Sequence, residues 1–115
     1  MNLNLAGKIA KNRNWEFLLW LLRRRRRFRV NNNSMLPLLK PGDEVLIAPG
    51  AVPVPGDIVV AQHPLRRDMR LIKRVEAIVE GRYVLKGDNP AESSDSRSFG
   101  PVPADHIIGR VTSRF

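Results

Sequence analysis

The sequence predicts an all-β fold, a small barrel-like sheet with one short N-terminal helix. Runs of about five residues rich in Val, Ile and Leu recur from position 44 onward, which is the length and composition of strands. Turn-forming stretches separate them: Pro41-Gly42-Asp43, residues 49–56 with three prolines and two glycines, and Glu80-Gly81. Short strands with Gly/Pro turns belong to sheet assemblies of the barrel type. With 115 residues, 43% of them hydrophobic, the chain can build one modest core.

The elements follow in order. Residues 1–12 are polar and basic without clear periodicity and read as frayed or loosely helical. Residues 14–22 read as a helix with Asn14 as its N-cap and an apolar run over 17–22. A bilayer span needs roughly 20 apolar residues, so this run is too short to cross one. It is not a secretory signal either, since its charge cluster follows the apolar run and no small-residue cleavage site comes next. Residues 23–27 are all arginine. They complete an arm over 1–27, and the body over 28–115 reads as strands. These are expected at 28–30, 44–48, 57–61, 69–79, 82–86 and 106–112, with Glu80-Gly81 closing the hairpin between the fourth and fifth. Residues 87–103 form a long polar loop, and such loops inside compact domains are often functional.

Charge is divided unevenly along the chain. The net charge is +9, but residues 1–30 carry nine basic residues against Glu16 alone, and residues 31–115 carry eleven basic against ten acidic. The basicity therefore belongs to the arm. Two readings of the arginine block stay open: contact with anionic lipid headgroups beside an interfacial helix or with an acidic partner, or a solvated run that keeps an exposed Trp-Leu helix soluble. Nucleic-acid binding is not expected, because no recognition motif surrounds the block. There is no cysteine, hence no thiolate nucleophile and no cysteine zinc site. His63 and His106 stand far apart without a carboxylate motif, so neither a metal nor a cofactor is expected. The cysteine-free composition fits a reducing, cytoplasmic setting, peripheral to a membrane if the arginine block touches lipid.

The chemistry centres on Asn32-Asn33-Ser34-Met35-Leu36-Pro37, which holds a serine in a tight polar turn. A serine hydroxyl needs a base to take its proton. Lys73 suits that role better than either histidine. In a strand, Leu71, Lys73 and Val75 share one face, so Lys73 is flanked by apolar neighbours. Burial would disfavour its ammonium form and lower its pKa, giving a Ser-Lys dyad. Taken singly, Ser34 would be an ordinary turn serine and Lys73 a surface lysine with a packed stem.

Four ordered stretches lend the pair weight: Ser34-Met35-x-Pro37, Gly56-Asp57-Ile58-Val59-Val60, Lys73-Arg74-Val75, and Gly87-Asp88-Asn89 with Ser93-x-Asp95-Ser96-Arg97. Together they resemble the four boxes of type I signal peptidases over roughly residues 28 to 113. The resemblance implies a signal-peptidase-like catalytic domain with Ser34 as nucleophile and Lys73 as general base. It implies that Ser93 orients the lysine amine, and that Asp88 with Arg74, and Asp95 with Arg97, form structural ion pairs beside the site. It also implies an oxyanion hole from the Ser34 backbone N–H and a second donor at Asn32, where family members often carry serine. Asn32 as a plain turn residue stays equally open. The family's membrane anchors and large inserted domain have no counterpart in these residues, so a stand-alone soluble or membrane-skimming version is expected.

Further stretches are similar to the small maturation proteases of nickel-type superoxide dismutase. These are Arg26-Arg27-Phe28-Arg29-Val30 leading into Asn33-Ser34-Met35-Leu36-Pro37-Leu38-Leu39, then Asp88-Asn89-Pro90-Ala91-Glu92-Ser93 and Ser98-Phe99-Gly100-Pro101-Val102-Pro103. That resemblance implies removal of an N-terminal propeptide from a protein precursor, with nickel bound by the substrate and not by the protease. Two other readings compete. A self-cleaving repressor would share the dyad but needs a DNA-binding domain, and no helix-turn-helix pattern is present. A β-domain binding module would use the basic arm to dock acidic partners or membrane.

Overall fold

The computed structural model describes residues 10–11, 26–89, 91 and 96–114. Among these residues eight strands form one sheet: β1 (Ala10–Lys11), β2 (Arg26–Arg29), β3 (Glu44–Ala48), β4 (Ile58–Gln62), β5 (Arg70–Val79), β6 (Arg82–Lys86), β7 (Val102–Pro103) and β8 (Ile107–Arg114). A four-residue helix α1 (Ser96–Phe99) and a 3₁₀ turn (Ala104–His106) interrupt the run before β8. The strand order is β2-β3-β8-β4-β5-β6-β7, antiparallel throughout, with β1 added parallel to β8. The sheet curls into a half-barrel. Three register shifts, in the β3–β8, β4–β8 and β5–β6 pairs, supply bend and twist, since a bulge increases both.

Alternation sorts the side chains into two cores. On one face Val45, Ile47, Ile58, Val60, Ile72 and Val111 pack with Val30, Met35 and Leu39. On the other, Val59, Ala61 and Val75 pack with Tyr83, Leu85 and Val102. Four residues of β4, Ile58 to Ala61, are buried on both faces, which is why that stretch is an unbroken apolar run in the sequence. Fully burying each of the Ile and Val side chains among them is worth about 1.5–3 kcal/mol.

The expected strands at 44–48 and 82–86 coincide with β3 and β6, and those at 57–61, 69–79 and 106–112 lie within two residues of β4, β5 and β8. Glu80 and Gly81 both take positive φ, 51° and 77°, as a type I′ hairpin turn demands. Asp57 stands just before β4 because its carboxylate accepts the Val54 N–H at 2.9 Å, closing the preceding turn. Two features depart from expectation. Ala10–Lys11 pair with Ser113 and Arg114 as a strand, although their polarity suggested fraying or loose helix. The first strand of the body begins at Arg26, inside the arginine block, because β3 offers Glu44 to Leu46 and Ile47 as backbone partners for residues 26–29. The expected helix over 14–22 lies outside the described residues. No described helix is long and apolar enough to cross a membrane.

Candidate active site

Ser34 is fixed by the residues that come after it. Met35 and Leu39, four residues apart, are both completely buried in the first core, and the Leu39 N–H donates to the Met35 carbonyl at 2.9 Å. This turn therefore plants two apolar side chains in the core and holds the serine at its start. Upstream, Val30 exchanges backbone hydrogen bonds of 2.8 Å with Asp43 and Gly42. The Asp43 carboxylate accepts the Lys40 N–H at 3.0 Å, so the Pro41-Gly42-Asp43 bend returns the chain directly into β3.

Lys73 occupies the centre of the arrangement. It lies opposite Val59 across the β4–β5 ladder, on the face that carries Val75 and Ala61. Its relative exposure is 3%, which rules out a lysine whose amine reaches solvent past a packed stem. β6 pairs with β5 only from Arg74 onward, and the serine turn meets β5 just before that point. Ser34, 1% exposed, sets its Oγ 3.4 Å from the Ile72 carbonyl oxygen. That distance exceeds a usual hydroxyl hydrogen bond, so the hydroxyl is held close to Lys73's own peptide without being strongly engaged there.

A clasp of polar bonds locks this contact. Arg74 grips Asp88 in bidentate fashion, Nε to Oδ1 at 3.0 Å and Nη2 to Oδ2 at 2.9 Å, and its Nη1 donates to the Gly56 carbonyl at 2.8 Å. The hydrogen bonds that Arg74 donates to Asp88, together with the charge of that carboxylate, hold the guanidinium above its ordinary pKa against partial burial. The next residue, Asn89, donates its backbone N–H to the Ser34 carbonyl at 2.8 Å and its Nδ2 to the Asn33 carbonyl at 3.0 Å. Gly56-Asp57, Lys73-Arg74 and Asp88-Asn89 are thus tied to the serine turn as one unit. The resemblance placed Arg74 and Asp88 together and gave Asn89 no role, since nothing in the sequence marks its bonds to the carbonyls of residues 33 and 34.

Asn32 is found in an Asx turn, its Oδ1 accepting the Ser34 N–H at 3.1 Å. The backbone donor expected to serve an oxyanion is therefore occupied by the side chain expected to assist it. Ser93 and Asp95 lie outside the described residues, so neither the orienting role of Ser93 nor the Asp95–Arg97 pair is described; Arg97 stands exposed on α1. Among the described residues no group of three His, Cys, Asp or Glu side chains could hold a metal ion.

Residues 24–112 match the family described as Peptidase S24-like. The chain is 33% identical over 103 residues to mitochondrial inner membrane protease subunit 1 of Xenopus tropicalis, covering 89% of this chain and 59% of that protein. It is 33% identical over 60 residues to signal peptidase IB of Staphylococcus aureus, covering 52% of this chain and 31% of that protein. It thus spans less than two thirds of the length of either relative. The match extends from just before β2 to within β8 and takes in Ser34, Lys73 and the clasp around them, and the chain belongs to the Peptidase S24-like family, with homology to the signal peptidases.

Proposed function

We propose that this chain is a serine endopeptidase with a Ser34–Lys73 dyad, removing an N-terminal propeptide from a protein precursor. The observation that carries the reading is the docking of a buried serine against the peptide beside a buried lysine. Burial disfavours the ammonium form, and a neutral amine is the form that can act as the base. Ser34 Oγ attacks the scissile carbonyl while the Lys73 amine takes its proton. The resulting ammonium returns that proton to the leaving amine as the C–N bond breaks, and water then resolves the ester by the reverse route.

The oxyanion needs donors. An entering carbonyl displaces Asn32 Oδ1 from the Ser34 N–H, and the released carboxamide offers Nδ2 as the second donor. Asn32→Asp keeps the turn acceptor and removes the donor. If Asn32 serves the oxyanion, turnover falls about a hundredfold or more; unchanged turnover assigns Asn32 to the turn alone. Ser93 is proposed to orient the lysine, with Asp95–Arg97 as a second ion pair beside it.

For the precursor we propose nickel-type superoxide dismutase, with the nickel bound by that substrate. The support is the likeness of the motifs around residues 26–39, 88–93 and 98–103; the two relatives support proteolysis without specifying a substrate. The proposed setting is cytoplasmic. Co-expression with the precursor, followed by mass determination of the product N-terminus, tests the reading. The wild-type chain is expected to trim the precursor and Ser34→Ala and Lys73→Ala to leave it whole, with losses of at least about 10²–10⁴-fold. Trimming by either variant at the wild-type rate would refute the dyad. Trimming of other precursors but not this one would shift the reading to general signal-peptidase-like processing.

A further inference from the structure

Five arginines line two adjoining recesses beside the turn that holds Ser34. A recess of about 490 Å³ lies between Arg27 and Arg29 of the edge strand β2 and, opposite them, Arg67 and Asp68 of the β4–β5 connection with Arg70 at the start of β5. It shares Asn31, Asp68 and Arg70 with a second recess of about 320 Å³, which adds Arg66 and reaches Asn32 and Leu71. Those last two residues flank the site: Asn32 caps the Ser34 N–H, and Leu71 precedes the Ile72 carbonyl that faces Ser34 Oγ. Sharing three lining residues, the two recesses adjoin as one trough whose inner end is lined by these neighbours of the serine.

The charge of this trough is one-sided. Arg27 is offset by its ion pair with Glu44, and Asp68 is the single acid in the lining. Arg29, Arg66, Arg67 and Arg70 make no salt bridge among the described residues. The wall is also ordered in advance. Gln62 Nε2 lies 2.8, 2.6 and 3.0 Å from the carbonyl oxygens of Arg66, Arg67 and Met69, and His63 Nδ1 accepts the N–H groups of Leu65 and Arg66 at 3.0 and 3.1 Å. Cationic groups lining a concavity focus potential on whatever enters it, and a backbone already held in place lowers the ordering cost of binding.

We propose that this trough selects acidic polypeptide, an extended segment carrying Asp or Glu side chains beside the bond to be cut. The inference rests on the peptidase reading and names its substrate class. A peptide fits better than the other polyanions. The lining holds one aromatic, Phe28, packed against the first core, so there is no stacking platform for bases. The arginines line a recess, whereas an interfacial membrane surface presents them on an outward face.

The test is binding without turnover. Two fluorescein-labelled decapeptides, identical except that one carries Asp and Glu where the other carries Asn and Gln, are titrated by anisotropy against the full chain bearing Ser34→Ala. The acidic peptide is expected to bind on the order of tenfold more tightly at low salt, and the gap to close at high salt. Added Arg67→Glu and Arg70→Glu should abolish or invert the preference; the milder Arg67→Gln and Arg70→Gln pair, checked for folding by circular dichroism, should abolish it. Equal binding of the two peptides, or a preference that survives both arginine variants, overturns the proposal. So does tighter binding, through the same arginines, of a single-stranded oligonucleotide or of vesicles containing phosphatidylserine. Failure of the dyad would appear instead as an uncut precursor, with the peptide preference intact.

Discussion

Two loops face each other across the trough, and they are fixed by opposite means. The serine turn drives Met35 and Leu39 into the first core and leaves Asn31, Asn32 and Asn33 outside. The β4–β5 connection is exposed from Leu65 to Met69, with Leu65 itself 78% exposed. It keeps its shape through Gln62 and His63, which bond to its backbone. An apolar anchor fixes position, tolerates any pH and costs several kcal/mol to remove. Polar staples hold a chain in water at about 0.5–1.5 kcal/mol per bond and can be undone by a proton. The catalytic wall is thus expected to be rigid, and the recognition wall to be adjustable.

The comparison breaks most directly at Met35. Met35→Ala removes a fully buried side chain next to Ser34 and is expected to cost about 2–5 kcal/mol, read as a lowered urea midpoint at unchanged slope. A loss below about 0.5 kcal/mol, the level of an ordinary surface change, would mean the core does not anchor the turn. The next effect is smaller. Asp88→Asn weakens the bidentate grip of Arg74 and slackens the segment whose Asn89 N–H holds the Ser34 carbonyl. Because Arg74 is about a third exposed, the expected cost is about 1–2 kcal/mol, and precursor turnover should fall by more than that stability loss explains. Turnover that stays at the wild-type rate would detach the clasp from the site.

Much of the catalytic wall is legible in the sequence. Strand period places Lys73 with Leu71 and Val75, and the Pro-Gly bend after residue 40 announces the return into β3. The Arg74–Asp88 pair comes from motif resemblance, and the structure brings the two together. The recognition wall is hardly legible. Residues 65–70 carry three arginines and an aspartate with no periodicity, and the link from Gln62 to the carbonyls of Arg66, Arg67 and Met69 is a tertiary choice that composition does not encode. Asn32 shows the same limit at atomic scale. Sequence allows the carboxamide to cap the turn or to donate to an oxyanion, and only its orientation toward the Ser34 N–H shows which bond it makes in the free chain.

The smallest expected effect is confined to the recognition wall and concerns His63. The ring is buried, packs at a tilt against Phe99 with centroids 4.9 Å apart, and uses Nδ1 as acceptor for two backbone N–H groups. A protonated imidazole has no acceptor, so charging this ring breaks both bonds. Burial first, and the neighbouring Arg66 charge second, push its pKa below the ordinary value. The unfolded chain therefore binds the proton more readily than the folded one. The contribution of His63 to stability is complete above the ordinary imidazole value, about 6.5. It declines as pH falls from there through the lowered folded value. Amide hydrogen exchange across this interval should show Leu65 and Arg66 losing protection on acidification, after correction for intrinsic rates, while Leu39 in the serine turn keeps its own. His63→Gln should flatten that response at the connection. If Leu39 lost protection in step with Leu65 and Arg66, the two walls would be opening as one unit, and the division between a rigid and an adjustable side would fall.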